Sequence, residues 1–189
     1  MAQGNVSVEE AEKQLETLND FVRWGASRFQ EADLHFGHGT ANAVDEAAAL
    51  VLSVLGLPHE PVPEFWQARL TSSEKKKLIE IIQARIDLRK PLPYLTNEAW
   101  FADLGFYVDE RVIIPRSPFA ELIQEAFEPW CTGRPINHIL DLCCGSGCMA
   151  IASAYNFPYC AVTAVDIDEA AIEIANRNVD AHGVSDLVE

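Results

Sequence analysis

Apolar residues within the first 90 positions recur at steps of three and four, which places them on one face of an α-helix. Three positions carry helix-start signals, two capping boxes and one N-cap asparagine: Ser7-x-x-Glu10, Thr71-x-x-Glu74 and Asn42. The pattern predicts one helix over about 8–31, a second that ends at Gly56, and a third that ends before Pro91. Short connections between these helices predict a small helical bundle over residues 1–90.

A second pattern follows the bundle, in which aromatic and β-branched residues lie close together and favour β-strands. Two polar turn segments separate them, Asp103-Leu104-Gly105 and Asp109-Glu110-Arg111. We therefore predict a β-hairpin linker over residues 91–116. Ser117-Pro118 then places an N-cap residue before a proline at the first helical position, which predicts a helix that continues to about Trp130.

The last part of the chain alternates short apolar runs with amphipathic segments, in the order strand, helix, strand, helix. The predicted ranges are 136–143, 148–155, 160–165 and 169–181, and residues 186–189 are the predicted start of a third strand. Such an order predicts a parallel sheet with right-handed crossovers. We interpret residues 117–189 as the first half of a Rossmann-like domain, which makes the chain an α/β protein with an N-terminal helical bundle.

The chemistry of the chain concentrates where the first of these strands turns into its helix, in Asp141-Leu142-Cys143-Cys144-Gly145-Ser146-Gly147-Cys148. The two glycines let the backbone pass close to a ligand, and the amides at the helix start point outward. Asp166 ends the second strand 21 residues after Gly145, where its carboxylate faces the two hydroxyls of a ribose. Together these signals indicate a cofactor that contains adenosine.

Two cofactors fit this pattern. Gly145-x-Gly147-x-x-Ala150 satisfies the dinucleotide fingerprint, so an NAD-dependent dehydrogenase is one alternative. Asp141 favours S-adenosylmethionine instead, because a carboxylate suits the ammonium group of a methionine moiety and would lie unfavourably near a pyrophosphate. The glycine motif also follows a separate helical domain of the chain, which disfavours the dehydrogenase.

Several stretches resemble known proteins. Asp141 to Cys148 resembles motif I of the class I methyltransferases, and Ala164-Val165-Asp166-Ile167-Asp168 resembles their ribose-binding motif II. Further stretches across essentially the whole chain resemble the family of glutamine methyltransferases that act on ribosomal proteins and peptide release factors: Arg23-Trp24, Ser27-Arg28-Phe29, Phe36-Gly37-His38-Gly39-Thr40, Arg69 to Lys75, Tyr94-Leu95-Thr96-Asn97, Phe106 to Arg111 and Pro115-Arg116-Ser117-Pro118. The last stretch, together with Cys143 in place of a motif I glycine, favours the subgroup that acts on ribosomal proteins.

The resemblance implies a reaction and a set of cofactor-binding residues. A glutamine side-chain amide in a large-subunit ribosomal protein would take the methyl group from S-adenosylmethionine. Eight residues are implied to hold the cofactor: Asp141, Cys143, Gly145, Ser146, Gly147, Asp166, Ile167 and Arg116. Arg116 would reach a cofactor carboxylate or order the seam between the domains. The thiol of Cys143 should fit if its backbone angles are ordinary, although the loop there has less freedom than a glycine would give.

Proteins of this family hold the acceptor amide with an Asn-Pro-Pro-Tyr motif, and the sequence contains no such tetrapeptide. We therefore expect the chain to be a truncated methyltransferase with no catalytic residue of its own, inactive when taken alone. A non-catalytic module that binds a ribosomal protein stays open as a third hypothesis.

The net charge of −15 is unevenly distributed, since residues 1–90 carry 10 Lys and Arg against 14 Asp and Glu, whereas residues 91–189 carry 4 against 15. An acidic surface repels nucleic-acid phosphates and favours a basic partner. We therefore expect a basic ribosomal protein as substrate and no direct binding to nucleic acid.

Five cysteines without framework spacing, and without a histidine at ligand spacing, predict reduced thiols and no metal site. The longest apolar stretch is far shorter than the roughly 20 residues that a membrane-spanning helix needs. The first twenty residues are acidic and lack the apolar core of a secretory signal. The sequence therefore predicts a cytoplasmic protein without a membrane partner.

Overall fold

The structure, a computed structural model, describes residues 7–189, and the chain divides into two compact units between Thr96 and Asn97. The first unit contains five α-helices and one 3-10 turn among its described residues: α1 (Val8–Gln14), α2 (Leu18–Glu31), α3 (Ala43–Leu55), the turn Pro63–Gln67, α4 (Ser72–Asp87) and α5 (Leu92–Thr96). None of the helices in residues 7–189 combines the length and the apolar character that crossing a membrane requires.

The single helix predicted over residues 8–31 is wrong, because α1 and α2 are separate helices. Thr17 is the N-cap of α2, and its hydroxyl accepts a 3.2 Å hydrogen bond from the Asp20 amide. The Asp20 carboxylate accepts in return from the amides of Thr17 (2.9 Å) and Glu16 (3.0 Å). This second capping box starts a new helix, and an aspartate in place of the usual Glu or Gln conceals it in the sequence.

The helix starts predicted from local sequence are confirmed at Ser7, Asn42 and Thr71, each of which accepts a hydrogen bond from a backbone amide of the helix that follows. Helices α2, α3 and α4 pack around a shared apolar core. Its largest fully buried side chains are Phe21, Phe29, Leu50, Val51, Leu78 and Ile82.

A charged pair lies inside this core. Nε of Arg85 on α4 donates a 2.5 Å hydrogen bond to Oε1 of Glu46 on α3, and both side chains are 3 % exposed. The Thr40 hydroxyl donates to the other Glu46 oxygen at 2.9 Å, and Nη2 of Arg85 donates to the carbonyl of His35 at 3.0 Å. The pair therefore anchors the glycine-containing loop that leads into α3.

The second unit begins with a β-hairpin in which β1 (Glu98–Phe101) pairs antiparallel with β2 (Leu104–Tyr107). The strands occupy less of the chain than the predicted range of 91–116. Val112 and Ile114 are buried while Ile113 is exposed, so this segment alternates like a strand. Its backbone nevertheless belongs to no named strand. The alternating pattern at 112–114 therefore predicts which side chains are buried, but it does not show that the segment pairs with another strand.

Helix α6 covers Phe119–Gln124 and ends well before the predicted Trp130. Ala126 and Phe127 have φ values of 53° and 56°, a left-handed conformation that ends a helix. The N-cap is Pro118, one residue after the predicted position.

The order strand, helix, strand, helix is confirmed in the rest of this unit. The elements are β3 (His138–Leu142), α7 (Cys148–Asn156), β4 (Ala161–Val165) and α8 (Glu169–His182). The two strands pair in parallel, with Asp141 opposite Ala164. Val188 forms a parallel bridge with Val162, and the Glu189 amide donates to the Val162 carbonyl at 3.0 Å. A third parallel segment therefore adds to β4 where the sequence predicts a third strand.

Candidate functional site

A tight turn connects the end of β3 to the start of α7. The Cys144 amide donates to the carbonyl of Val165 at 3.0 Å, which fixes the turn beside the end of β4. The Gly147 amide donates to the Cys144 carbonyl at 2.8 Å, and Gly147 is the N-cap of α7. The parallel register thus brings the turn and the carboxyl end of β4 to the same edge of the sheet, where ligands bind in open α/β sheets.

The condition for an easy fit of Cys143, ordinary backbone angles, is not met. Its φ is 63°, in the left-handed region that a glycine enters freely. A residue with a Cβ atom pays roughly 1–2 kcal/mol for this conformation. The side chain itself is exposed, so the cost comes from the backbone and not from crowding around the thiol.

The two glycines of the turn have different roles. A Cβ atom on Gly147 (φ 75°) would lie 3.2 Å from Cβ of Ala175, so the missing side chain lets α8 approach the turn. A Cβ atom on Gly145 (φ 54°) would meet nothing within 4 Å. Gly147 therefore serves packing, whereas Gly145 leaves open space at the ligand side of the turn.

Asp166 is tied to the turn by its carboxylate. Oδ2 accepts a 2.9 Å hydrogen bond from the amide of Gly145, and Oδ1 accepts a 3.1 Å bond from the amide of Asp168. These two hydrogen bonds hold the pKa of Asp166 below its ordinary value, and the bond from the Gly145 amide has the larger effect. The ionised carboxylate of Asp166 is therefore a hydrogen-bond acceptor that is held in a fixed orientation at the turn.

Asp141 is the buried carboxylate of this region. Its side chain, on β3, is 8 % exposed, and its Oδ2 atom has no hydrogen-bond partner among the described residues. Burial raises the pKa of Asp141, the amide of Ala150 opposes the rise, and the charge of Asp166 adds to it. A buried acceptor without a partner costs about 1–3 kcal/mol, so its presence points to a missing donor.

A cavity of about 310 Å³ opens at the turn. One wall is the segment Arg111–Ser117, and the other contains the turn, the start of α7 and Asp166. The cavity collects five of the eight residues that the sequence predicts for the cofactor: Arg116, Cys143, Gly145, Ser146 and Asp166. The other three do not line it: Asp141 is buried, Gly147 packs against α8, and Ile167 is fully exposed.

Asn178 on α8 is 1 % exposed and is not among the residues predicted from the sequence. Its Nδ2 donates to the carbonyl oxygens of Ser146 (2.9 Å) and Tyr107 (3.0 Å), and its Oδ1 accepts from the Tyr107 amide (2.8 Å). A signal for it exists in the sequence: Asn178 continues the buried stripe of Ala171, Ile174 and Ala175 at helical spacing, so a polar amide stands where an apolar residue is expected.

Arg111 was predicted only as part of a polar turn. Its guanidinium donates from Nη2 to Asp109 at 2.8 Å and from Nη1 to Glu173 of α8 at 2.8 Å. The Arg111 side chain, with help from the Tyr107 hydroxyl, lowers the pKa of Asp109 to about 2. This network fixes the segment that forms the first wall of the cavity.

Comparison with known proteins identifies relatives. The family model described as "Methyltransferase small domain" matches residues 121–189. The ribosomal protein uL3 glutamine methyltransferase of Xanthomonas campestris pv. campestris is 50 % identical over 168 residues, which are 89 % of this chain and 54 % of that protein. Proteins of the same name from two strains of Xylella fastidiosa are each 49 % identical over the same shares. The chain is a homologue of these methyltransferases.

The predicted resemblance to the ribosomal-protein glutamine methyltransferases is therefore confirmed, and so is the α/β fold with a partial class I methyltransferase domain. The chain spans about half the length of the curated homologues that it matches. The matched family domain contains every predicted cofactor residue except Arg116.

Three cysteines of this homologue lie at the cavity, Cys143, Cys144 and Cys148. Burial raises the pKa of Cys144 and of Cys148 to about 11, so both thiols stay protonated at neutral pH. Within residues 7–189, no group of three or more His, Cys, Asp or Glu side chains is arranged to hold a metal ion.

Proposed function

We propose that this chain binds S-adenosylmethionine at the turn Cys143–Gly147, as part of an enzyme that methylates a glutamine side-chain amide of ribosomal protein uL3. The observation that carries the proposal is the placement of Asp166, whose ionised carboxylate is held at the ligand side of the turn by the amides of Gly145 and Asp168. A carboxylate in this position suits the two hydroxyls of a ribose.

The residues present fit the proposed cofactor in three respects. Each carboxylate oxygen of Asp166 accepts one amide hydrogen bond and keeps a further lone pair for a ribose hydroxyl. The open space at Gly145 admits a ligand close to the backbone. Asp141 does not line the cavity, but its buried Oδ2 has no partner among the described residues, so an ammonium group such as that of a methionine moiety would compensate the buried charge if it reached this oxygen.

The cavity also has the size and composition of a small-molecule site. Its volume of about 310 Å³ lies at the lower end of the range for ligand pockets. Arg116 lines it and is the residue that we propose to pair with the carboxylate of the methionine moiety. Cys143 and Ser146 line the same cavity, and Ile167 follows Asp166 on the exposed side.

When bound, S-adenosylmethionine supplies an electrophilic methyl group on its sulfonium. An amide nitrogen is a weak nucleophile, so the enzyme gains its rate mainly from alignment of donor and acceptor. Residues of this chain would contribute the fixed half of that alignment. Asp166 and the turn would hold the nucleoside, while Asp141 and Arg116 would orient the charged end.

The proposed substrate is uL3, because the curated homologues carry that protein in their names. The charge of this chain supports a basic partner, since residues 91–189 carry 15 Asp and Glu against 4 Lys and Arg. The same charge disfavours direct binding to nucleic acid. We further propose a cytoplasmic location, where ribosomal proteins are made.

The experiment combines the chain with methyl-tritiated S-adenosylmethionine and purified uL3. We expect label to be retained by the chain, uL3 to co-elute with it on gel filtration, and no label to pass to uL3, because residues 1–189 contain no Asn-Pro-Pro-Tyr segment. Asp168→Asn is the matched control for Asp166→Asn, since Asp168 caps α8 through the Ala170 amide and an asparagine keeps that cap. Retention lost equally in both variants would contradict the role of Asp166.

A chain that binds NAD and ignores S-adenosylmethionine would replace the proposal by the dehydrogenase hypothesis. A chain that captures uL3 without either cofactor would support the non-catalytic binding module instead.

A further inference from the structure

Asn178 uses every hydrogen-bonding atom of its side chain. The amide group has two donor hydrogens and one acceptor oxygen that faces the protein. The two hydrogens reach the carbonyls of Tyr107 and Ser146, and the oxygen receives the Tyr107 amide, at distances between 2.8 and 3.0 Å. No other residue type of that size offers two donors and one acceptor in this arrangement.

One partner of Asn178, Ser146, lies in a wall of the cavity, and the other, Tyr107, precedes the opposite wall in the chain. Tyr107 ends β2, and the chain runs from it into Arg111–Ser117, the first wall. Ser146 lies in the turn that forms the second wall, and its side chain is itself buried. Asn178 does not line the cavity, so any effect that it has on a ligand must pass through these walls.

Two exposed contacts also connect α8 to this part of the chain, one to Arg111 in the first wall and one to Tyr107. Arg111 pairs with Glu173, with side chains that are 42 % and 72 % exposed, and Arg177 lies 3.3 Å above the ring of Tyr107. Surface ion pairs are weakened by water and by salt, whereas hydrogen bonds in a dry interior are not. The buried amide is therefore a connection between Tyr107 and the turn that water and salt do not weaken.

We propose that Asn178 is a positioning residue that sets the separation of the two cavity walls and thereby the affinity for S-adenosylmethionine. The inference rests on the proposed function. It adds that cofactor affinity depends on a side chain that never touches the cofactor.

The test is isothermal titration of the 189-residue chain with S-adenosylmethionine, paired with thermal unfolding of each variant. Asn178→Leu keeps the size of the side chain and removes all three hydrogen bonds. Val179→Ala is the matched control, because Val179 is the next residue on α8, is buried, and packs in the apolar core of the unit. We expect the dissociation constant to rise at least tenfold in Asn178→Leu and less than twofold in Val179→Ala, even where the two variants lose similar thermal stability.

A second variant separates positioning from general destabilisation and replaces the first if Asn178→Leu does not fold. Asn178→Asp keeps the oxygen that accepts from the Tyr107 amide. Its second oxygen replaces the donor nitrogen, so the ionised side chain places a negative oxygen against two carbonyl oxygens. When protonated, the carboxyl group donates one hydrogen bond again. We expect its affinity, relative to the unmodified chain at the same pH, to recover severalfold between about pH 8 and pH 5, which loss of stability alone would not produce.

Unchanged affinity in Asn178→Leu or, for Asn178→Asp, a relative affinity that does not vary with pH overturns the positioning role while the proposed function stands. Failure of the unmodified chain to bind S-adenosylmethionine overturns the proposed function, and this inference falls with it.

Discussion

Gly145 and Asp166 are joined by a 2.9 Å hydrogen bond from the backbone N–H of the glycine to Oδ2 of the aspartate. The bond connects the turn after β3 to the residue after β4, next to the backbone hydrogen bond from Cys144 to Val165. Because the Asp168 amide binds the other carboxylate oxygen, the side chain is held from two sides. An acceptor that is already oriented loses little conformational entropy when a ligand binds.

The first prediction concerns the pH dependence of stability. The amides of Gly145 and Asp168 lower the pKa of Asp166 in the folded chain, so its ionised form stabilises the fold at pH values above the pKa of the unfolded chain. That contribution disappears as the pH falls through the folded-state pKa. Urea unfolding should show a stability gap between the unmodified chain and Asp166→Asn that is widest above about pH 5 and narrows as the pH falls below 3.8. A gap of constant size would contradict this.

Asp141→Asn tests the opposite case. Burial raises the pKa of Asp141 above the ordinary value of 3.8, so the folded chain binds more protons than the unfolded chain, and stability falls as the pH rises past about 4. The neutral amide lacks this cost. We expect Asp141→Asn to unfold at a higher temperature than the unmodified chain at pH 7 without ligand, yet to gain less from added S-adenosylmethionine. Scanning fluorimetry measures both, and an unchanged ligand shift would exclude Asp141 from cofactor binding.

The two glycines of the turn are expected to differ in their tolerance of alanine. Gly145→Ala should cost roughly 1–2 kcal/mol of unfolding free energy, from backbone conformation alone. Gly147→Ala should cost a further amount of roughly 1–3 kcal/mol, because its Cβ atom would lie 3.2 Å from that of Ala175. Urea denaturation, followed through the unfolding transition of the second unit, gives the free energy of unfolding of each variant. Equal losses would mean that α8 does not press against the turn.

The buried pair Glu46–Arg85 is expected to dominate the stability of the helical unit. Arg85→Met leaves a carboxylate buried without its cation and should cost about 3–5 kcal/mol. The double variant Glu46→Leu, Arg85→Met removes both charges and should recover much of that loss. Thermal unfolding followed by circular dichroism provides the comparison. A double variant as unstable as Arg85→Met would show that the pair contributes through geometry that apolar residues cannot replace.

The sequence predicts those parts of the fold that depend on neighbouring residues. Ser7, Asn42 and Thr71 cap helices because their partners are two or three residues away. The order of strands and helices after residue 136 follows in the same way from short apolar runs. The missed break before α2 is also local, but it depends on Asp20, a residue that the usual capping pattern does not include.

Long-range partners account for the rest. Asn178 is hydrogen bonded to residues 71 and 32 positions away, so its neighbours in sequence do not reveal its role. Cys143 takes the backbone conformation of a glycine because the turn demands it, and the residue type alone suggests the opposite. Most residues proposed for the cofactor lie in one compact motif and are therefore visible in the sequence, whereas the position of Arg111–Ser117 as a cavity wall is visible only in the structure.

The most direct measurement is isothermal titration of the chain with S-adenosylmethionine and, separately, with NAD, using the unmodified chain, Asp166→Asn and Asp168→Asn. We expect S-adenosylmethionine to bind the unmodified chain and Asp168→Asn with equal affinity and Asp166→Asn at least tenfold more weakly, and we expect no binding of NAD. Binding of NAD alone, or equal binding of S-adenosylmethionine to Asp166→Asn and the unmodified chain, would contradict it.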